Sequence, residues 1–433
     1  MQSLSRLTYP AYSLDIPDKL IKKINQDNFN FIWKNKYHYI NKSDTVKPAK
    51  EGGLNAIDFD PMNGTIKLKW LQNFIIKGDN FWFDFPFKIF KMFGGIHFLL
   101  RCDFNISKLP IKLSAFHQQV LQYWKLIYKH NFTPHTVPIW NNRSILIKRK
   151  SFFYGEWMEK GVWSIVHLLD NYGNFLTYDV FTKKYNLMCS ERQFKTVIQA
   201  IPQALITLVK GMLTYSVVIP REPTLTIDAY HFLDKNKLNN TFFRNVLTSI
   251  CFPSPFKRKH IFEKFTSSCL VKIRTSYLSF PISPKVKEVH FKVMNEIYPC
   301  NNFLHQRFNM DVNVCTFCNS DIETAEHLFF SCSVTQTFWD AFQYWIMYDT
   351  QNIPNLTYEY IKFGLQMENR KTEFGVNNLI LMAKYFIHKC RFLKTSPVFN
   401  AFRNDIILHK QSLKCCKTKK ALNLHEYLCK LIP

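Results

Sequence analysis

Long uncharged apolar runs are missing from this chain of 433 residues. The nearest, Ala204 to Pro220, is broken by Lys210 and several hydroxyl side chains, so no segment reads as a membrane-spanning helix. No secretory hydrophobic region follows Met1, and the twelve cysteines are scattered rather than regularly spaced. Those two absences argue against a secreted disulfide scaffold and for a reducing compartment, nuclear or cytoplasmic. Catalytic signatures are missing as well. There is no Gly-rich phosphate loop, no serine nucleophile elbow and no His-Glu-x-x-His pattern. No Asp-Asp pair occurs anywhere, although two-metal nucleotidyl transfer needs clustered carboxylates. Asp58 and Asp60 stand apart from any partner strand pattern and are expected to solvate a turn. The chain is therefore expected not to be an enzyme.

Acidic residues are scarce relative to basic ones, 32 against 57, which leaves a net charge of +25. A compact body with that charge repels itself unless counter-charges arrive, so a polyanionic partner is implied. Nucleic acid comes first, an acidic membrane surface second. What the chain does hold is apolar mass: 47% hydrophobic and 16% aromatic residues, enough for large cores and too much for a disordered protein. Length alone suggests about three domains.

The pattern along the chain is mainly α-helical and multi-domain, with short irregular or β segments in the middle. A helix is expected after Pro17, with Leu20, Ile21, Ile24, Phe31 and Ile32 on one face and Trp33 at its end. Pro48 to Leu54 reads as a loop whose two glycines supply unusual backbone angles. Residues 66–76 read as an amphipathic segment, and Ser114 caps the clearest helix of the first half, Ser114 to His130. From Trp140 to Ile219 the chain breaks into short aromatic-rich pieces, including a turn at Tyr172–Asn174 and a strand-like Tyr215–Ile219. Helices are expected again from Ser283 to Asn295, starting near Pro284, and from Thr335 to Met347. Lys and Arg dominate the last fifty residues, where periodic Ile and Leu imply basic amphipathic helices. No tandem repeat or low-complexity segment occurs.

The most informative motif is Cys315, Cys318, His327 and Cys332, spaced C-x2-C-x8-H-x4-C. Thiolates and imidazole are the donors that tetrahedral zinc prefers, and a two-residue gap lets both cysteines of one turn clasp the same ion. One structural Zn2+ is expected. Five positions separate His327 from Cys332, about 140° of rotation on a regular helix. An unbroken helix would aim these side chains apart, so Cys332 is expected where a helical turn loosens or ends. The competing reading is a pair of half-buried thiols near an unrelated histidine. His388 with Cys390 offers only two ligands, too few for a second site, and His117, His130 and His135 read as core or surface histidines.

Around this motif the order Leu304, Arg307, Cys315-Thr316-Phe317-Cys318, Glu323-Thr324, His327-Leu328-Phe329, Cys332 and Trp339 resembles the zinc-binding module downstream of the reverse transcriptase in LINE-type, non-LTR retrotransposon proteins. Phe31-Ile32-Trp33, Gly52-Gly53-Leu54 and Lys69-Trp70-Leu71 look like the stretch just after the polymerase core of that family. Ile387-His388-Lys389-Cys390 resembles a segment near the end of vertebrate members. The resemblance implies a region following a polymerase core that the sequence itself does not carry, so the product is expected to be a remnant or an incomplete gene product. It divides the chain into a thumb-like remnant at 1–60, an aromatic-rich connector at 61–250, the zinc module with flanking helices at 251–350, and a basic helical region at 351–433. It also implies RNA or DNA as partner, held largely without sequence readout, other retrotransposon proteins as further partners, and residence in a ribonucleoprotein.

Phosphate contact is assigned to basic residues flanking the module and near the end: Lys272, Arg274, Arg307, Lys410, Lys414, Lys417, Lys419 and Lys420. Asp321, Glu323 and Glu326 in the ligand loop are expected to repel phosphates. Two readings stay open for the basic residues, a phosphate-positioning surface or a solvated helix face. The alternative for the whole chain is a structural docking domain without nucleic-acid contact.

Overall fold

A computed structural model describes residues 2–34, 38–76, 80–130, 132, 136–212, 224–253, 262–347 and 353–432. The fold is mainly α-helical, as the sequence pattern implies. Among the described residues its one sheet pairs β1 (Thr226–Ile227) with β2 (Tyr230–His231), antiparallel. The chain divides into two compact units, Met1–Lys36 with Ile57–Ser254, and Tyr37–Ala56 with Pro255–Pro433. No described helix is long and apolar enough to cross a membrane.

In the first unit, helix α1 (Phe59–Ile76) packs against α2 (Ala115–Ile127) and α3 (Asn240–Cys251). Residues 66–76 do not form an amphipathic surface helix. They belong to a longer helix buried on nearly all sides, with Leu68, Leu71, Lys67 and Gln72 inside. Two of its buried polar side chains are held by the surrounding chain: Lys67 Nζ donates to the Leu14 carbonyl, and Gln72 donates to that of Phe232 at 2.6 Å. Gly64 is required by close approach, since a Cβ there would lie 2.5 Å from the Tyr123 ring. Ser114 caps α2 as expected, its oxygen accepting from the His117 amide.

The helix Asp18–Ile32 follows Pro17 and ends at Trp33, but its buried face is Ile21, Asn25 and Phe29, while Leu20 and Phe31 point outward. Asn25 sets that rotation by donating to Asp58 at 2.9 Å and accepting from the Phe59 amide at 2.7 Å. Asp58 is therefore not a solvated turn residue. It is buried, and it accepts the Asp60 amide at the start of α1. Asp60 in turn accepts the Tyr123 hydroxyl at 2.5 Å. Between α2 and α3 lies an aromatic core of short pieces in which Trp140, Trp157, Phe181 and Phe194 are buried. Asp170 closes the turn at Tyr172–Asn174 by accepting two amides. Residues 204–212 fall within the helix Gln203–Met212; the expected strand at Tyr215–Ile219 and His135 lie outside the described residues.

The second unit contains α4 (Ser267–Thr275), α5 (Pro284–Met294), α6 (Asn301–Phe308), α7 (Ser333–Met347), α8 (Arg370–Leu393), α9 (Phe399–Leu413) and α10 (Lys419–Leu431). Helix α8 is its spine, lying against α5 and α10. Gly375 permits the α10 contact, because a Cβ at that position would meet the Tyr427 ring at 2.4 Å. Phe338, Trp339 and Phe342 of α7 join Leu379, Ile387, Phe402 and Leu424 in one core, which also holds Leu328 and Phe329 of the ligand turn. The loop at 48–54 folds beside α4. Gly52 adopts a φ of 95°, and Gly53 passes so near the Lys47 carbonyl that a Cβ would overlap it.

Candidate metal centre

The four motif residues occupy the connection from α6 to α7. Cys315 opens a tight turn in which its amide donates to Asp321 at 2.7 Å and its carbonyl accepts from Asn319 at 3.0 Å. Asn319 adopts the left-handed conformation that lets the turn close. An isolated bridge between Val314 and Ile322 braces the two arms. His327–Ser331 then forms a π-helical turn, and the Cys332 amide donates to the His327 carbonyl at 2.9 Å, a five-residue step. Cys332 itself is extended, and α7 begins immediately after it. The loosened turn expected from the 140° mismatch is what the backbone adopts, and π-turns of this kind concentrate at functional sites.

Three sulfurs and the imidazole converge, all four donor atoms within 4.8 Å of one another. Cys315 Sγ lies 3.9 Å from Cys332 Sγ, and Cys318 Sγ lies 3.4 Å from His327 Nε2. Tetrahedral zinc with ordinary bond lengths needs about 3.8 Å between two sulfurs and about 3.6 Å between sulfur and nitrogen. The donor set and its spacing fit one zinc ion, with His327 offering Nε2. All four positions are filled by protein, the pattern of a structural rather than a catalytic ion.

The thiols are not equivalent. Burial pushes Cys315 up to about 12 in the absence of metal. Burial also acts against Cys318, but hydrogen bonds from Ser320, at 3.2 Å to the sulfur, and from backbone amides outweigh it and bring that thiol down to about 5. Metal binding at neutral pH therefore requires proton release at Cys315.

Behind the ligands lies an arrangement the motif alone does not reveal. Glu323, fully buried, accepts the Thr316 amide at 2.8 Å, the Thr316 hydroxyl at 2.6 Å and the Asn301 amide at 2.8 Å. Arg391 of α8 donates to the same carboxylate through Nε at 2.9 Å and Nη2 at 2.6 Å, and to Asn301 at 3.0 Å. Glu323 is thus an internal strut between the cysteine turn, α6 and α8, and does not face phosphates. Asp321 and Glu326 remain exposed. His388 and Cys390 do not form a second site: His388 bonds Tyr298 at 2.7 Å, and Cys390 sits in the apolar core.

The basic candidates separate by position. Arg274 is buried, its guanidinium 4.8 Å above the Phe262 ring, because α4 turns that face inward; it does not belong to a phosphate-facing surface. Lys272 is exposed but paired with Glu373 at 2.6 Å. Arg307 is exposed, donates to the Tyr39 carbonyl at 3.2 Å and lies over Phe303. Lys410 is half-buried and donates to the Ile432 carbonyl at 2.6 Å. Lys414, Lys417, Lys419 and Lys420 are exposed around the α9–α10 turn, Lys420 reaching the Ser279 hydroxyl.

Fold and site together define a mainly helical protein carrying a Cys3His zinc-binding module. The family described as zinc-binding in reverse transcriptase matches residues 256–339, a span that contains all four ligands, Glu323 and the start of α7. Over that span the chain is similar to this family. No curated protein sequence matches the chain.

Proposed function

We propose that this chain is a non-catalytic, zinc-stabilised nucleic-acid-binding region, corresponding to the part of a LINE-type retrotransposon protein that follows its polymerase core. The observation that carries the reading is the metal cluster, placed inside the span similar to zinc-binding in reverse transcriptase. The net charge of +25 and the exposed lysines of the α9–α10 turn supply the means of gripping template RNA or target DNA through phosphates. Asp58 and Asp60, both engaged in structural hydrogen bonds, support a non-catalytic role. In this reading the zinc organises the module, the basic surface holds the strand, and the chain acts in an intracellular ribonucleoprotein beside other element-encoded proteins.

Filter or fluorescence binding to single-stranded RNA over a salt series tests this. Affinity should fall steeply with salt, and replacing Lys414, Lys417, Lys419 and Lys420 together by alanine should reduce the slope by roughly 0.7 per lost phosphate contact. Salt-independent retention, or none at low salt, would refute the reading. One observation favours a docking role instead: Phe81, Trp82 and Phe85 are about three-quarters or more exposed on the helix Phe81–Lys91. Heparin separates the two, since it displaces nucleic acid and leaves an apolar protein interface largely intact.

A further inference from the structure

We infer that the cleft of about 700 Å3 beside the metal module receives an unpaired nucleobase carrying an exocyclic amino group. The inference rests on the nucleic-acid reading above and assigns it a base-contacting site separate from the phosphate-holding lysines. The cleft lies within the second unit, between α6, the turn that carries His327 and the helix Tyr358–Phe363.

Two of its walls are the rings of Phe330 and Tyr358, with centroids 6.5 Å apart and planes 31° from parallel. The pair is tilted rather than parallel, so the cleft offers a planar guest an aromatic wall to stack on rather than a slot between two faces. Single-stranded RNA is read in this manner elsewhere: bases splay out, stack on aromatic side chains and bond through their edges. Side chains able to read an edge are present, since Asn302 and Gln306 of α6 line the same space.

Charge decides which part of a strand enters. Glu296 is neutralised by Lys362 at 2.6 Å and Glu359 by Lys264, which leaves the exposed Glu326 to give the opening its sign. A phosphate is repelled there, whereas the amino group of adenine, cytosine or guanine can donate to the carboxylate. An aromatic wall beside a carboxylate also suits an arginine or lysine side chain, but a body of charge +25 disfavours a basic peptide.

The test uses the full, zinc-loaded chain and three single strands of equal length: oligoadenylate, oligouridylate and an abasic strand. Wild type should bind the adenine strand about tenfold more tightly than the abasic one, an effect of the size that one stacked base provides. Uridylate should fall between them. Phe330→Leu and the exposed Glu326→Gln should each reduce the adenine preference while leaving abasic-strand affinity and zinc content unchanged. Equal wild-type affinity for all three strands overturns the base pocket and leaves the phosphate-binding function standing. Full adenine preference in both variants overturns it too, because the base then sits elsewhere. Competition by an arginine-rich peptide without any base dependence overturns it in favour of a peptide site. If no strand binds, the proposed function and this inference fail together.

Discussion

Glu323 and Arg391 show how much one pair of side chains can settle. Burial works against the Glu323 carboxylate, yet the hydrogen bonds and charge of Arg391 and the bonds from Thr316 hold it below the usual range. Both partners are buried, so removing one leaves a charge with nothing to balance it. Arg391→Leu should destabilise the second unit by about 3–5 kcal/mol, and adding Glu323→Gln should recover part of that loss. Denaturant unfolding of the single and double variants measures it; identical losses in both would show that the charge pairing is not what matters. The four metal ligands could be read directly because their spacing lies within one short segment. Arg391 could not, since it reaches Glu323 from 68 positions away. Arg274 misled for the same reason: a basic residue looks solvent-facing until the packing of α4 turns it onto Phe262.

Among the elements, the π-turn His327–Ser331 is where local geometry and metal chemistry meet. It brings Cys332 round to Cys315 while its own Leu328 and Phe329 enter the core shared by α7 and α8. The ion therefore braces the junction of the module with its helical support. Structural zinc contributes on the order of 10 kcal/mol or more in finger peptides, so losing one ligand should undo the whole connection. Cys318→Ser, or a chelator on the wild type, should make residues from about 300 to 350 sensitive to limited proteolysis. An unchanged digest would refute a stabilising ion. Helices with strong terminal signals were readable: Ser114 for α2, Pro284 for α5 and the aromatic stripe of α7. The helix Asp18–Ile32 was located correctly but rotated wrongly, because Asn25, a polar residue, marks its buried side.

At the scale of the whole molecule, acid sensitivity follows from histidines enclosed in both units. Burial drives His117, His130 and His388 down to about 4 from an ordinary value of 6.5. The unfolded chain takes up protons near pH 6.5 while the folded chain does not until about 4, so protonation favours unfolding across that window. Stability should be constant above the upper limit and decline as pH falls through it. Thermal or urea unfolding at successive pH values checks this, and His117→Gln should flatten the decline in the first unit by about one proton. A midpoint insensitive to pH between about 6.5 and 4 would contradict the assignment.

Ligand spacing and helix caps are local properties, so a linear reading reached the zinc motif and the helical class, and the excess of positive charge, an additive one, motivates the proposal of a polyanionic partner. Which polar residues are inside, which lysines stay exposed and which rings line the cleft are decided by segments that meet only after folding. Phe330 and Tyr358 come together because the turn His327–Ser331 packs against the helix Tyr358–Phe363, and Glu323 turns inward because α8 presents Arg391 to it. Neither fact has a signature within any short stretch, since buried charge and ring separation are set by packing across the chain.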